Sequence, residues 1–459
     1  MPQLDVEESA SPSVPLIAVT AAVGAIVLLI ALLCNVFKRD KKDQQISEET
    51  DKSKGEGQTE KLSGVKKSKP VPTKNVKKSA YVPFSHLWLS STLKGHSSSI
   101  VSLDFSPNGK YLLTASEDRA LLLWSVKEFQ QKDHKYIRGN VDLDSATHVA
   151  FSPDSRAIVA SLATENAIRI FRLVKKDDGS NNVSITGAIT FPKKHKTDII
   201  GVGIASSGKY IMSCSGDTTI IIWDLKGDVL ATIDTHQMSN SCGKVSPCGR
   251  FVASSGFTPD VKVWEVLFDK TGTFKEVKRA FELKGHSAAV YTFDFNMDAR
   301  RMASVSKDGT WKFWDTDVRY EMNQDPKLLK TGSVHFTGFS LVALSPDSHT
   351  VAVGNGTSIA FWDTETGKEQ ELMKDVHSES MTTLSFDISG HYLVSSGGKH
   401  VQVLHNVPGY KATILELEEK MKVASGPGMK ERLKAQLTTA KESLESILSG
   451  TNTVTESKE

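Results

Sequence analysis

The side chains best suited to chemistry in this sequence are histidines that recur at a fixed distance before a tryptophan. The pairs that share a spacing of 28 residues are His96 and Trp124, His195 and Trp223, His236 and Trp264, and His286 and Trp314. Aspartates of Ser-x-Asp turns stand between several of these pairs. Histidine beside aspartate suits proton transfer or metal binding, so this pattern is the first candidate for a reactive site.

No motif of a known reaction accompanies the histidines. The sequence has no HExxH, GxSxG or GxxxxGK[ST] motif, which zinc, acyl-transfer and phosphate chemistry use respectively. The four cysteines are Cys34, Cys214, Cys242 and Cys248, without a CxxC pair; Cys242 and Cys248 would pair only in an oxidising compartment. We therefore predict no catalytic residue, no metal site, no cofactor and no small-molecule substrate.

The elements around each histidine read as β-strands. Segments such as IVSLDF, YLLTAS and LLLW have the alternation and the branched apolar residues of strands. Three further units fill the gaps between the four pairs, with Phe171, Trp362 and Leu404 at the tryptophan position and His377 opening the last. The sequence thus predicts seven similar units.

These units resemble the WD-repeat family from Phe84 to Asn406, on motifs such as Gly95-His96 and Trp314-Asp315. The resemblance implies an all-β, seven-bladed WD40 propeller in which tryptophan, serine, histidine and aspartate form a structural hydrogen-bond chain. The sets that match are Trp124, Ser116, His96 and Asp118 in the first unit; Trp223, Ser215, His195 and Asp217 in the third; and Trp314, Ser306, His286 and Asp308 in the fifth. His236, Trp264, Trp362 and His377 are further motif positions.

The propeller is predicted to occupy residues 84–408, with the stretch Phe84 to Leu93 closing its last blade and Trp88 in the seam. Two helices are expected over 410–449, separated by Gly426-Pro427-Gly428, and a disordered tail over 450–459. The helices either cap the propeller or form a short coiled coil that recruits a partner or self-associates.

An uncharged apolar run over residues 16–37 is long enough to span a membrane as a helix; a buried core helix is the alternative. Acids precede it, and Lys38 and Arg39 follow it, so residues 1–15 should be lumenal and the rest cytosolic. Sugar on the sequons at Asn182 or Asn355 would reverse this orientation.

Residues 38–80 have the charged composition of a disordered linker. Between residues 65 and 80 it contains six lysines and no acid: Lys66, Lys67, Lys69, Lys74, Lys77 and Lys78. This stretch is either a solvated spacer or a polybasic patch that contacts lipid headgroups or RNA phosphates.

The layout of span, basic linker, propeller and helical tail also resembles one membrane-anchored WD-repeat subfamily. That resemblance implies a non-enzymatic scaffold in the endoplasmic-reticulum membrane. The implied partners are translation components and the stress-sensing kinase that phosphorylates a translation initiation factor. An RNA- or ribosome-associated factor is the alternative function, and a hydrolase with residues converging in the propeller channel is a third.

Overall fold

The computed structural model describes residues 84–131, 133–175, 183–335 and 337–450. Within these residues the chain forms seven antiparallel sheets of four strands each. The sheets confirm the predicted number of blades. Nearly every second and third strand of a blade is buried on both faces, which explains the apolar runs that alternate only weakly.

A single strand, β1 (Leu89–Lys94), precedes the first complete blade. Blade 1 contains β2 (Ile100–Phe105), β3 (Tyr111–Ser116), β4 (Ala120–Ser125) and β5 (Tyr136–Asn140). Blade 2 contains β6 (Ala146–Phe151), β7 (Ala157–Leu162), β8 (Ile168–Lys175) and β9 (Val183–Thr190). Blade 3 contains β10 (Ile199–Ile204), β11 (Ile211–Ser215), β12 (Thr219–Trp223) and β13 (Val229–Asp234).

The later blades repeat this order. Blade 4 contains β14 (Asn240–Val245), β15 (Phe251–Gly256), β16 (Asp260–Phe268) and β17 (Phe274–Lys284). Blade 5 contains β18 (Val290–Phe295), β19 (Arg301–Ser306), β20 (Thr310–Asp315) and β21 (Lys327–Ser333). Blade 6 contains β22 (Ser340–Leu344), β23 (Thr350–Asn355), β24 (Ser358–Asp363) and β25 (Glu369–Met373). Blade 7 contains β26 (Met381–Phe386), β27 (Tyr392–Gly397) and β28 (His400–His405).

The ring is closed by β1, which pairs antiparallel with β28 as the fourth strand of blade 7. The first strands of consecutive blades are in contact all round, including β26 with β2. Trp88 is buried and its ring stands edge-on to Phe361 of blade 6, with centroids 5.2 Å apart. The predicted closing strand and the position of Trp88 in the seam are both confirmed. Closure leaves β28 without a free edge.

Two helices follow the last strand, α1 (Val407–Val423) and α2 (Pro427–Ser449). α1 begins three residues before the predicted start, because the Asn406 side chain accepts a hydrogen bond from Gly409 N and caps the first turn. Tyr410 stacks on His391, and Ile447 packs in the apolar cluster of blades 6 and 7. These contacts favour the interpretation that the helices cap the propeller.

Among residues 84–131, 133–175, 183–335 and 337–450, no helix is long and apolar enough to cross a membrane. The predicted span over 16–37, the linker over 38–80 and the tail from 451 lie outside the described residues.

Candidate functional site

The histidine motif of blade 1 is a buried hydrogen-bond network centred on a threonine. Trp124 Nε1 donates to Thr114 Oγ1 (3.0 Å), which also contacts His96 Nε2 (2.8 Å). His96 Nδ1 lies 3.0 Å from Asp118 Oδ2, and the same carboxylate oxygen accepts Ser97 N. The network fixes the indole between blades and ties the loop before β2 to the β3–β4 turn.

The predicted role of Ser116 in this chain is wrong. On β3 the residue opposite Trp124 is Leu112, so the diagonal neighbour two positions along is Thr114, while Ser116 lies four positions along and too far away. Ser116 Oγ donates instead to Ser98 O (3.1 Å).

The network of blade 1 recurs in blades 3 and 5. In both blades the predicted serine is again not part of it. Trp314 Nε1 donates to Ser304 Oγ (2.9 Å), His286 Nε2 contacts Ser304 Oγ (2.9 Å), and His286 Nδ1 lies 2.9 Å from Asp308 Oδ2. Ser306 donates to the backbone of Ala288 and Ala289 instead.

In blade 3, Trp223 and His195 meet at Ser213 Oγ (2.8 and 2.6 Å). Ser215 lies at the end of β11, and its Oγ donates to the backbone carbonyls of Thr197 and Asp198. Asp217 accepts from Thr219 N and Oγ1, and Thr219 Oγ1 lies 3.4 Å from His195 Nδ1. Asp217 therefore acts on the histidine through a threonine.

The assignment of His236 to the motif is wrong. Its side chain is 78% exposed, and Gln237 takes the buried position, accepting from Ser254 Oγ (2.7 Å) and donating to Ser254 O and Asp260 O. Both His236 and Met238 have positive φ, 52° and 62°. Trp264 is buried as expected. The residue 28 positions before it, His236, nevertheless faces solvent.

The remaining units are held mainly by packing. Phe171, Trp362 and Leu404 are buried at the tryptophan position, and His377 Nε2 contacts Ser395 Oγ (2.8 Å) in blade 7.

The electrostatics of the networks favour neutral histidine. Burial lowers the pKa of His286, against the opposing effect of the Asp308 carboxylate. Burial alone would raise the pKa of Asp308, but hydrogen bonds from Thr310, Ser287 N and His286 outweigh it and bring the pKa to about 2. A neutral imidazole whose two nitrogens are both engaged is a structural bridge, since no substrate reaches either atom.

A second set of polar side chains lies on the first strands of the blades, at the inner edge of the ring. Val149 N donates to Ser102 Oγ (3.1 Å) and Phe151 N donates to Asp104 Oδ2 (2.7 Å). First strands have a free edge towards the axis, so their N–H groups need partners. Side chains of blade 1 therefore satisfy the backbone of blade 2.

The same arrangement joins blades 5 and 6 and includes a lysine. Val342 N donates to Thr292 Oγ1 (2.9 Å) and Leu344 N to Asp294 Oδ2 (3.0 Å). Lys244 Nζ from blade 4 lies 2.8 Å from Asp294 Oδ1. Each of these groups is engaged in joining neighbouring blades, which accounts for the convergence of charge there. No cluster of three metal-binding side chains occurs among the described residues.

Substitution of Asp104 should reveal the cost of this half-buried carboxyl. Burial raises its pKa from 3.8 to about 7. The folded protein then binds more protons than the unfolded chain between these values, so stability is lost as pH rises from about 4 to about 7. Asp104→Asn keeps an acceptor for Phe151 N and cannot ionise. We expect its free energy of unfolding, relative to the unsubstituted chain, to rise between pH 4.5 and pH 8 in urea titrations.

The exposed Asp325 supplies the control, because Asp325→Asn also removes one negative charge. It should give a difference that does not grow over this pH range. A flat difference for Asp104→Asn as well would contradict the assignment of a raised pKa.

Comparison with known proteins agrees with this architecture. The family model described as "WD domain, G-beta repeat" matches residues 88–125, 188–224 and 277–315. Transducin beta-like protein 2 of Homo sapiens is 50% identical over 391 residues, which cover 84% of this chain and 87% of the human protein. The Mus musculus protein of that name is 50% identical over 389 residues, 84% and 88% of the two chains. This chain belongs to the transducin beta-like protein 2 family of WD-repeat proteins.

More distant similarity covers a smaller share of the chain. A guanine nucleotide-binding protein subunit beta of Zea mays is 23% identical over 289 residues, 60% of this chain and 70% of that protein. In WD-repeat terms, the matched range 277–315 runs from β17 through β20. A sequence repeat therefore begins in the outer strand of one blade and ends in the third strand of the next, which is why β1 must close blade 7.

Since the motif residues are used internally, the surface available to partners is in the loops. We call the upper face the side formed by the loops that enter each first strand and by the turns between second and third strands; the two sets are hydrogen-bonded, as in Glu117 N to Ser99 O and Gly216 N to Asp198 O. Four exposed apolar side chains lie on it: Leu143 (93% exposed), Met238 (74%), Phe257 (60%) and Phe339 (54%).

The candidate basic patch, Lys66, Lys67, Lys69, Lys74, Lys77 and Lys78, lies outside the described residues. The sequence reasoning also missed the upper-face apolar residues. In the sequence these residues are only single apolar side chains in loop segments. Such residues are common on protein surfaces and do not by themselves indicate a binding site.

Proposed function

We propose that this protein is a non-enzymatic scaffold that binds signalling and translation proteins at the endoplasmic-reticulum membrane. The observation that carries the proposal is that the propeller uses its polar motif residues internally and its loops for exposed apolar side chains. Its histidines, hydroxyls and carboxylates hold the blades together, while its exposed loops carry apolar side chains. A rigid scaffold whose loops expose apolar side chains suits the binding of partner proteins better than the catalysis of a reaction.

The membrane and the pathway are the finer parts of the proposal. Residues 16–37 would anchor the chain, and Lys38 and Arg39 would keep the propeller in the cytosol. The resemblance to the membrane-anchored WD-repeat subfamily supports a role in the endoplasmic-reticulum stress response, with the initiation-factor kinase as one partner.

One sequon has a structural role that bears on this orientation. Asn355 Nδ2 donates to Phe339 O (2.9 Å) and Ser340 Oγ (3.0 Å), so the amide holds the loop before β22. A sugar would replace one of the two hydrogens on this nitrogen, so at least one of those bonds would be lost. Asn182, outside the described residues, is therefore the better site at which to test orientation by glycosylation.

An RNA- or ribosome-associated function is the second candidate, favoured by six lysines without an acid between residues 65 and 80. Phosphate contacts made by these lysines would weaken steeply with salt. Protein scaffolding by the propeller would not depend on them.

Proximity labelling from the intact chain, from a chain lacking residues 1–40 and from a chain with the six lysines changed to glutamine tests both candidates. We expect the intact chain to label cytosolic-face proteins of the endoplasmic reticulum, the truncated chain to lose them, and the lysine variant to keep its protein neighbours. Neighbours that disappear with the lysines or with ribonuclease would favour RNA. Equal labelling by the intact and truncated chains would contradict the proposed anchor, and sugar on Asn182 would contradict its proposed orientation.

A further inference from the structure

The outer strand of blade 2, β9, differs in composition from the outer strands of the other six blades. Its sequence VSITGAIT contains no charged side chain. The other outer strands, which are β1, β5, β13, β17, β21 and β25, each contain at least one Lys, Arg, Asp or Glu. Charged side chains on an edge strand discourage pairing with further strands. β9 therefore lacks the protection that the other edges have.

The outer edge of β9 is available for pairing. β9 is the last strand of the sheet β6-β7-β8-β9, so half of its backbone N–H and C=O groups point away from the blade. Residues 186–190 are all exposed. Gly187 and Ala188 carry little or no side chain, and together with Leu143 and Phe171 they line a recess of about 280 Å³. These small residues leave room for a further strand to approach the edge.

The absence of charge favours a second copy of this chain as the partner. When two identical strands pair antiparallel about a twofold axis, residues near the axis lie opposite or diagonal to their own counterparts. A charge there would face the same charge, which is destabilising. A partner of different sequence imposes no such limit, because it can carry the opposite charge. Neutrality along the whole edge is thus the property that self-pairing requires.

We propose that two copies of this protein pair antiparallel along β9, so that their second blades, of four strands each, form one continuous sheet. A twofold axis perpendicular to the sheet sets one residue opposite itself. Thr186 and Gly187 are the central residues of β9, and of these threonine contributes a favourable cross-strand pair. The axis therefore lies at Thr186. In this register Ile189, which is 41% exposed, lies opposite Val183 of the second copy.

The arginines of β8 do not oppose this pairing. Arg172 is in register with Thr186, one strand inside the edge. In the paired sheet the two copies of Arg172 are three strand spacings apart, roughly 14 Å. This separation exceeds the Debye length of about 8 Å in physiological salt. Arg169 lies 3.5 Å from Glu165 of its own blade. Repulsion between the two blades is therefore small.

Cysteine cross-linking tests both the pairing and the position of its axis. Thr186→Cys places two thiols across the axis with Cα atoms about 4.5–5.5 Å apart, a distance that a disulfide spans. The full-length chain in detergent under mild oxidation should then give a two-chain band on a non-reducing gel. In Thr190→Cys the corresponding distance along the strand is roughly 27 Å, and we expect cross-linking to be slower by about tenfold or more.

Thr232→Cys, on the exposed outer strand of blade 3, is the matched control for random collision. It should cross-link as slowly as Thr190→Cys. The unsubstituted chain gives the rate that is due to the native cysteines.

Charge substitution at the same position gives a second, reversible test. Thr186→Lys and Thr186→Glu each set like charges opposite one another, so each variant alone should have the mass of one chain in light scattering. An equal mixture of the two variants should recover the mass of two chains, because lysine then lies opposite glutamate. The recovery also shows that both variants are folded. Thr232→Lys should leave the mass of two chains unchanged.

Each contrary result overturns the inference. Cross-linking that is equal at positions 186 and 232, or a lysine–glutamate mixture that stays at the mass of one chain, would reject the pairing of β9. A mass that rises beyond two chains would indicate open-ended aggregation and not a closed pair. If the chain is a monomer and Thr186→Lys removes one neighbour in proximity labelling, the edge binds a different protein. The proposed scaffold function survives all these results, because its own test does not involve β9.

Discussion

Trp314→Ala should lower the free energy of unfolding by about 3–5 kcal/mol, the usual cost of deleting a large buried aromatic side chain. Trp314 is buried between blades 4 and 5 among residues such as Phe281 and Phe293. Alanine would leave a cavity there and would also remove the donor to Ser304 Oγ. Urea unfolding followed by far-ultraviolet circular dichroism measures the change.

Trp311 on the same strand allows the packing and hydrogen-bond contributions to be separated. It is also fully buried, but its Nε1 has no hydrogen-bond partner among the described residues. Trp314→Phe should cost about 1–2 kcal/mol more than Trp311→Phe, because only the first loses a buried hydrogen bond. An equal or larger cost for Trp311→Phe would show that the network around Ser304 contributes little.

The architecture was predictable because its signals are local. Strand alternation and a recurring aromatic residue need no knowledge of distant parts of the chain, and they gave seven blades and the closing strand. The hydroxyl that accepts the hydrogen bond from the indole could also have been identified from its position in the sequence. Thr114, Ser213 and Ser304 each stand ten residues before their tryptophan, whereas the predicted serines stand eight residues before it.

The features that were missed depend on contacts between blades. Asp104 and Asp294 reach the backbone of the following blade, and nothing in their own strands distinguishes that role from a solvent-facing one. His236 had the expected spacing, but the tight turn around Gln237 moved it into solvent. A count along the chain cannot detect such a turn, because it depends on which side chain the core of blade 4 accepts.

Removal of β1 should have the largest effect of any change considered, since it opens the ring. A chain that begins at Gly95 loses Trp88 and leaves β28 with an unpaired edge. We expect a loss on the order of the total stability of a domain, about 5–15 kcal/mol. Size-exclusion chromatography should show aggregation, because a free apolar edge pairs with other chains.

The same deletion tests whether the helices depend on closure. Ile447 of α2 packs in the cluster that contains Trp88 and Phe361, so loss of Trp88 should release the hairpin as well as the blade. Trypsin should then cut at Lys420, Lys434 or Lys441 faster than in a chain that begins at Phe84, which keeps every described contact. If the two chains are cut at equal rates, the helices are held by blade 7 alone, through the stacking of Tyr410 on His391, and their attachment is independent of the closing strand.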